Sequence, residues 1–166
     1  MDDEIRPADR DDSAAIAAIW NQGIEERRST FETRPRALDE IASAMDRVPY
    51  LVAEGQGGDV TGWARLARWS TRECYSGIGE ASVYVERTAR GRGVGRALIE
   101  ALVAEAEGSD HWKLLGLVFP ENEASVALCR KTGFREVGVF ERHGRLDEEW
   151  RDVVLVERLL GSAIRP

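Results

Sequence analysis

Cysteine is scarce in this chain, and the two that occur, Cys74 and Cys129, stand too far apart for a metal cage or a disulfide framework. That scarcity fits a reduced, cytoplasmic setting. Histidine is equally rare: His111 and His143 lack Ser/Asp or metal-ligand companions at a useful spacing, so both read as surface residues. No metal site is expected. An excess of positive charge is missing too. The 23 Lys and Arg residues face 30 Asp and Glu, a formal net charge of −7, which argues against general nucleic-acid binding. Long apolar runs are absent: residues 97–106 are broken by Glu100 and Glu105, so no membrane span is expected. The start, Met1-Asp2-Asp3-Glu4, is acidic, where a secretory leader begins basic and turns apolar. With 166 residues and no linker, repeat or low-complexity tract, the chain reads as a single domain, 1–166.

What is present is organised around residues 80–102. Ala81, Ser82, Val83, Tyr84 and Val85 read as a strand, and Arg90-Gly91-Arg92-Gly93-Val94-Gly95 as a basic glycine-rich turn. Val94, Leu98, Ala101 and Leu102 then recur at helical spacing. Such a turn aims several main-chain N–H groups at one point, and the positive end of the helix dipole adds to the field there. Glycine permits φ > 0 and keeps side chains out of the way. With Arg90, Arg92 and Arg96 beside it, the turn is a seat for a phosphate or pyrophosphate in an otherwise acidic chain. It is neither a Walker loop, since no Gly-Lys-Ser/Thr follows, nor the dinucleotide Gly-x-Gly-x-x-Gly. The competing reading is a plain turn that caps a surface helix.

The rest of the chain supplies strands and helices in a recognisable order. A short strand at 4–7 precedes a helix capped by Asp11 or Asp12, with Ala15, Ile16, Ile19 and Trp20 on its apolar face. The pattern fades over 23–35, a polar loop carrying Phe31, and a second helix is expected over 37–45. A hairpin follows, 50–54 and 60–68 about a Gly-rich turn. After the central strand and helix come a buried strand at 113–119, a helix from Pro120-Glu121-Asn122 to Lys131 closed by Gly133, and two strands at 134–142 and 151–159 separated by a polar turn over 144–149. The implied fold is α/β: one mixed sheet of about seven strands with helices on both faces.

The pattern Arg-x-x-Gly-x-Gly (Arg90, Gly93, Gly95) resembles the acetyl-CoA signature of the Gcn5-related N-acetyltransferases (GNAT), and the element order resembles that fold over essentially the whole chain. More specific matches surround it. Trp69-x-x-Arg72-x-x-Tyr75 before Glu80-x-x-Val83-Tyr84-Val85 is similar to the phosphinothricin acetyltransferase branch, including the arsinothricin acetyltransferases. So are Ser29-Thr30-Phe31-Glu32-Thr33-Arg34-Pro35, Pro120-Glu121-Asn122 and Trp150-Arg151-Asp152-Val153-Val154. The resemblance implies an acetyl-CoA-dependent N-acetyltransferase, a homodimer, acting on the α-amine of an amino acid that bears a second anionic group. It also implies that Val83, Tyr84 and Val85 give main-chain hydrogen bonds to the coenzyme's pantetheine arm, helped by Asn122 and Ser125. The turn from Arg90 through Gly91, Arg92, Gly93, Val94 and Gly95 to Arg96 would hold the diphosphate.

Acetyl transfer needs an amine stripped of its proton, a nitrogen close to the thioester carbon, and donors for the oxyanion. Glu80 is the candidate base, at the point where a bulge in this fold commonly splays two strands; a carboxylate there needs partial desolvation to serve. Arg72, with its planar fork, suits a carboxylate or oxyanion, the competing role being a solvated charge paired with Glu73. Tyr75 offers an O–H donor, Ser82 a hydroxyl, and Phe31 an apolar wall. Asn122 is also a good helix N-cap, and the two roles are compatible. Two departures stand out: Ser70 replaces the branch's lysine, and Cys129 its histidine, so Cys129 reads as a small apolar filler rather than an acid. The alternatives are an acetyltransferase for ordinary amino acids such as methionine derivatives, or for protein N-termini, and a coenzyme-binding module without catalysis.

Overall fold

The computed structural model describes residues 3–164, so Met1 and Asp2 of the acidic start lie outside the described residues. Seven strands form one sheet: β1 (Glu4–Pro7), β2 (Tyr50–Glu54), β3 (Val60–Arg68), β4 (Ile78–Val85), β5 (Lys113–Val118), β6 (Arg135–Leu146) and β7 (Glu149–Leu159). Their order is β1-β2-β3-β4-β5-β7-β6. Every neighbouring pair is antiparallel except β4 and β5. The helices are α1 (Ser13–Glu26), α2 (Leu38–Met45), α3 (Val94–Gly108) and α4 (Glu123–Lys131). The mixed sheet with helices on both faces is the architecture the sequence implies. No helix among the described residues is long and apolar enough to cross a membrane.

Each face of the sheet buries its own apolar cluster. Ile16, Ile19, Trp20 and Ile24 of α1 recur at helical spacing and pack with Ile41 of α2 on Tyr50, Val52 and Trp63. On the other face Val94, Leu98, Ile99 and Leu102 of α3 pack on Leu51, Ala53, Ala64 and Leu66. The first helix runs past Gly23 to Glu26, further than the fading pattern suggests. A Cβ on Gly23 would stand 2.7 Å from the Tyr84 ring, so this glycine lets helix and sheet approach, and Ile24 beyond it is buried. Asp12 stands at the N-cap of α1, one of the two candidates, but its carboxylate binds Arg6 and makes no cap hydrogen bond to the helix; Asp9, in a capping box with Asp12, starts the 3₁₀ turn that leads into α1.

Two further details depart from the sequence expectation. The turn between β6 and β7 is only Asp147 and Glu148, both at positive φ (49° and 69°), because the strands continue through Leu146 and from Glu149. Leu146 is buried against Phe119 and Val153. And β4 carries no bulge: its register with β3 is regular from Arg68–Gly79 to Gly62–Val85. The sheet opens without one. β4 pairs with β5 only at Ile78–Lys113, Gly79–Leu114 and Glu80–Leu115. Beyond Glu80, β4 stays with β3 while β5 stays with β7 as far as Val118–Val154, and the two halves of the sheet part.

Candidate active site

Main-chain geometry decides what the opening offers. Glu86 N–H donates to Thr61 O at 2.8 Å and Trp69 N–H to Ile78 O at 3.2 Å, so the even-numbered residues of β4 commit their main-chain groups to β3. By alternation those of Ala81, Val83 and Val85 face the side of β5, where pairing has ended. Of these, the Val85 carbonyl accepts Arg90 Nε at 3.1 Å. The rest of this edge has the hydrogen-bonding capacity of a strand without the strand, which suits an extended ligand arm bearing amides. Tyr84, by the same rule, turns its main chain to β3.

A cavity of about 540 Å³ occupies the opening, a size typical of ligand sites. Ala81, Val83 and Val85 pack on the α3 face and Tyr84 on the α1 face, so by alternation Glu80 and Ser82 share the side of Tyr84. The cavity is lined by Glu80, Ser82 and Tyr84 and also by Ala81, Val83 and Ile99. It therefore passes through the sheet. Glu80, half-buried, stands at its closed end, the last β4 residue paired with β5.

Phe31 closes the α1 side. It meets Phe119 edge to face at 4.8 Å, and a Cβ on Gly144 would lie 2.7 Å from its ring. Ser29, Thr30 and Glu32 of the same loop line the cavity with it. The Tyr84 ring stacks on Trp63 at 4.7 Å and 14°, its hydroxyl donates to Ser29 O at 3.4 Å, and burial pushes its phenol up. On the α4 side, Asn122 accepts from Ser125 N–H at 3.3 Å as the helix cap, and both line the cavity. So does Cys129, whose thiol burial pushes up to about 11.

The glycine turn lies outside the cavity wall. Gly91 (φ 78°) and Gly93 (φ 94°) are open to solvent, so only their backbone conformation demands glycine. Gly93 caps α3 with no side-chain hydrogen bond, leaving the first amides of the helix free for an anion. Its three arginines differ. Arg90 ion-pairs with Glu26 of α1 at 2.9 Å, and Arg87 joins the same carboxylate at 2.9 Å. Burial alone would raise Glu26, but these two guanidiniums hold it below the usual carboxylate range. Arg96 pairs with Glu100 at 2.7 Å. Arg92 makes no ion pair among the described residues.

The loop before β4 is placed otherwise than the cavity residues. Arg72 and Tyr75 are exposed, Tyr75 by 39%, and neither lines the cavity. Arg72 lies over the Tyr75 ring at 5.2 Å, and no ion pair with Glu73 forms. Arg65, not singled out in the sequence, and Trp20, read there only as part of a helix's apolar face, both line the cavity. The signal for Arg65 was a charged residue amid the apolar positions of β3, between Ala64 and Leu66.

A free helix N-terminus beside the passage, an unpaired strand edge along it and a carboxylate at its end are parts that suit group transfer from an extended, phosphorylated donor. The sequence matches the model of the acetyltransferase (GNAT) family over residues 16–134. The chain belongs to this family and is an N-acetyltransferase. It is similar to the phosphinothricin N-acetyltransferase of Alcaligenes faecalis, 34% identical over 164 residues, which span 95% of this chain and 83% of that protein. The L-methionine sulfoximine/L-methionine sulfone acetyltransferase of Pseudomonas paraeruginosa is 30% identical over 162 residues, 95% of this chain and 94% of that one. Among solved structures, the GNAT superfamily phosphinothricin acetyltransferase of Sinorhizobium meliloti in complex with AcCoA matches with a TM-score of 0.92 at 28% identity, covering 100% of this chain and 94% of that one.

Proposed function

We propose that the chain transfers the acetyl group of acetyl-CoA to the α-amine of a small acidic amino-acid analogue of the phosphinothricin or arsinothricin kind, and so removes a toxic amino acid. The observation that carries this is the passage through the sheet, with a carboxylate at its closed end and a free strand edge along it. The parts suit the coenzyme. Residues 90–96 are matched to its diphosphate, and the edge of Val83 and Val85, with Asn122 and Ser125, to its pantetheine arm. Bound there, acetyl-CoA supplies an electrophilic thioester carbon and a thiol of pKa about 8.5 as leaving group.

Glu80 takes the proton of the substrate ammonium, directly or through a water, and gives the nitrogen its lone pair. The Val83 N–H, on the free strand edge, would donate to an oxygen on which charge gathers. Phe31 and Ser82 meet the substrate, and Phe31, Phe119 and Tyr84 keep bulk water out. Arg72 and Tyr75 would have to fold inward from their exposed loop to take part. Direct transfer is preferred to an acetylated enzyme, because burial pushes the Cys129 thiol up and no base hydrogen-bonds it among the described residues. Self-association is supported by β6, an edge strand that exposes Val139 by 53% and Phe140 by 39%, with Trp150 of β7 at 57%. The free, exposed Cys74 suits a reducing cytoplasm.

Release of free CoA from acetyl-CoA, followed with phosphinothricin, arsinothricin, methionine sulfoximine, methionine and an N-terminal peptide, tests the reading. The acidic analogues should give the highest kcat/KM. Preference for the peptide would transfer the assignment to protein N-termini, and preference for methionine to ordinary amino acids.

A further inference from the structure

Arg65 sits mid-strand in β3, opposite Ser82, and so leaves the sheet on the same side as Glu80, Ser82 and Tyr84. It lines the cavity. Its guanidinium stacks on the Trp20 ring at 4.7 Å, and Nη1 donates to the Tyr50 hydroxyl at 3.3 Å. Nε is buried and has no partner, and no carboxylate ion-pairs with this arginine among the described residues. Trp20 Nε1, on the same wall, is a second buried donor without a partner. A guanidinium carries five N–H donors, and a half-buried cation with free donors favours an anion beside it. The other carboxylates on the wall are Glu32, which binds Arg36, and Glu80, the base of the proposed reaction.

The spacing adds to this. Glu80 pairs with Ala67 and Arg65 with Ser82, one diagonal step apart on one face, about 7 Å between Cβ atoms. A carboxylate and an unpaired guanidinium at that separation complement a zwitterion, ammonium toward one and oxyanion toward the other. Arg72, in solvent on its loop, has no such enclosure. We propose that Arg65 is the receptor for the substrate's oxyanion, gripping it in its planar fork with Trp20 behind, and so sets the preference for amino acids over plain amines. The inference rests on the acetyltransferase reading above. The oxyanion is either the α-carboxylate or a phosphinate-type side-chain group, which present the same chemistry to a guanidinium.

The test compares wild type, Arg65→Met and Arg65→Lys, with acetyl-CoA saturating, on four amines: phosphinothricin, its carboxamide, methionine and methioninamide. Arg65→Met keeps the packing on Trp20 and should lose on the order of 100-fold in kcat/KM wherever the recognised anion is present. Methioninamide, with no anion, should change little, the KM for acetyl-CoA should hold, and Arg65→Lys should recover part of the loss. Loss on methionine would assign the α-carboxylate; loss confined to phosphinothricin and its carboxamide would assign the side-chain group. Equal loss on methioninamide, or no loss anywhere, would overturn the proposal. Calorimetry of phosphinothricin on the CoA complex separates the two readings. Heat in wild type that vanishes in Arg65→Met supports the receptor even without turnover, and equal heat in both sinks it.

Discussion

The two sides of the passage are built differently. On the α3 and α4 side the wall is mostly apolar, Val83, Ile99, Leu128 and Cys129, and apart from Asn122 and Ser125 the polar groups are main-chain ones at a strand edge and a helix start. On the α1 side it falls to side chains from separate segments: Glu80 and Ser82 of β4, Arg65 of β3, Trp20 of α1, and Ser29 and Thr30 of the following loop. Main-chain groups bind any donor of the same shape whatever the local sequence, so that side can serve one coenzyme across many enzymes. Side-chain groups change with single substitutions, so specificity resides opposite.

The sharpest way to break this division is Glu80→Gln. A general base contributes about 10²- to 10⁴-fold, and kcat should fall by that order while the Kd for acetyl-CoA, measured by calorimetry, stays put. Unchanged turnover would remove Glu80 from the chemistry. A smaller effect of opposite pattern is expected from Gly93→Ala. At φ 94° an alanine is strained by about 1–2 kcal/mol and the first amides of α3 shift. Acetyl-CoA should bind roughly 10-fold more weakly with phosphinothricin binding unaltered, and a loss confined to phosphinothricin would contradict the division.

The same division explains what was legible in the sequence. The side proposed for the coenzyme sits mostly in one contiguous stretch, strand, glycine turn and helix, whose local spacing the sequence displays. Glu80, Ser82 and Val83 were readable as part of that stretch. Arg65 was not, because its role depends on a register in which it faces Ser82, a long-range fact that β3 alone does not hold. Arg72 stood out by its motif, yet its loop places it in solvent. Gly144 looked like a turn residue and is instead the flat place on β6 where Phe31 packs. Gly23 seemed to end a helix, and its missing side chain is what brings Tyr84 close.

Charge also holds the α1-facing side beyond the helices, where Glu157 of β7 is 8% exposed between Lys113 at 2.9 Å and Arg135. The Lys113 ammonium first, with Arg135 adding, holds this carboxyl below its usual range despite burial. The folded state therefore binds the proton later than the unfolded chain, whose value is about 4.3. The stability it contributes is complete above that value and is lost as the pH falls through the lower folded one. Tm should be flat from about pH 7 to 5 and drop below about 4. Glu157→Gln should cost about 2 kcal/mol at neutral pH, roughly 4–8 °C in Tm, and flatten that acid drop. Asp12 and Glu26, likewise lowered by arginines, preserve the remainder of the slope.

The smallest effect belongs to Cys129, where the two sides are compared most directly, since it is the one ionisable thiol on the apolar wall. With its pKa pushed up to about 11, only about one thiol in a thousand is ionised at pH 8. It is a poor nucleophile there, and a weaker acid than the coenzyme thiol it would have to protonate. Iodoacetamide at pH 8 should therefore modify exposed Cys74 and spare Cys129 until the chain is unfolded, as peptide mass mapping would show. Cys129→Ala should keep kcat/KM within about 3-fold, under 1 kcal/mol of transition-state stabilisation. A collapse of kcat with acetyl-CoA binding intact would put side-chain chemistry on the wall assigned here to packing.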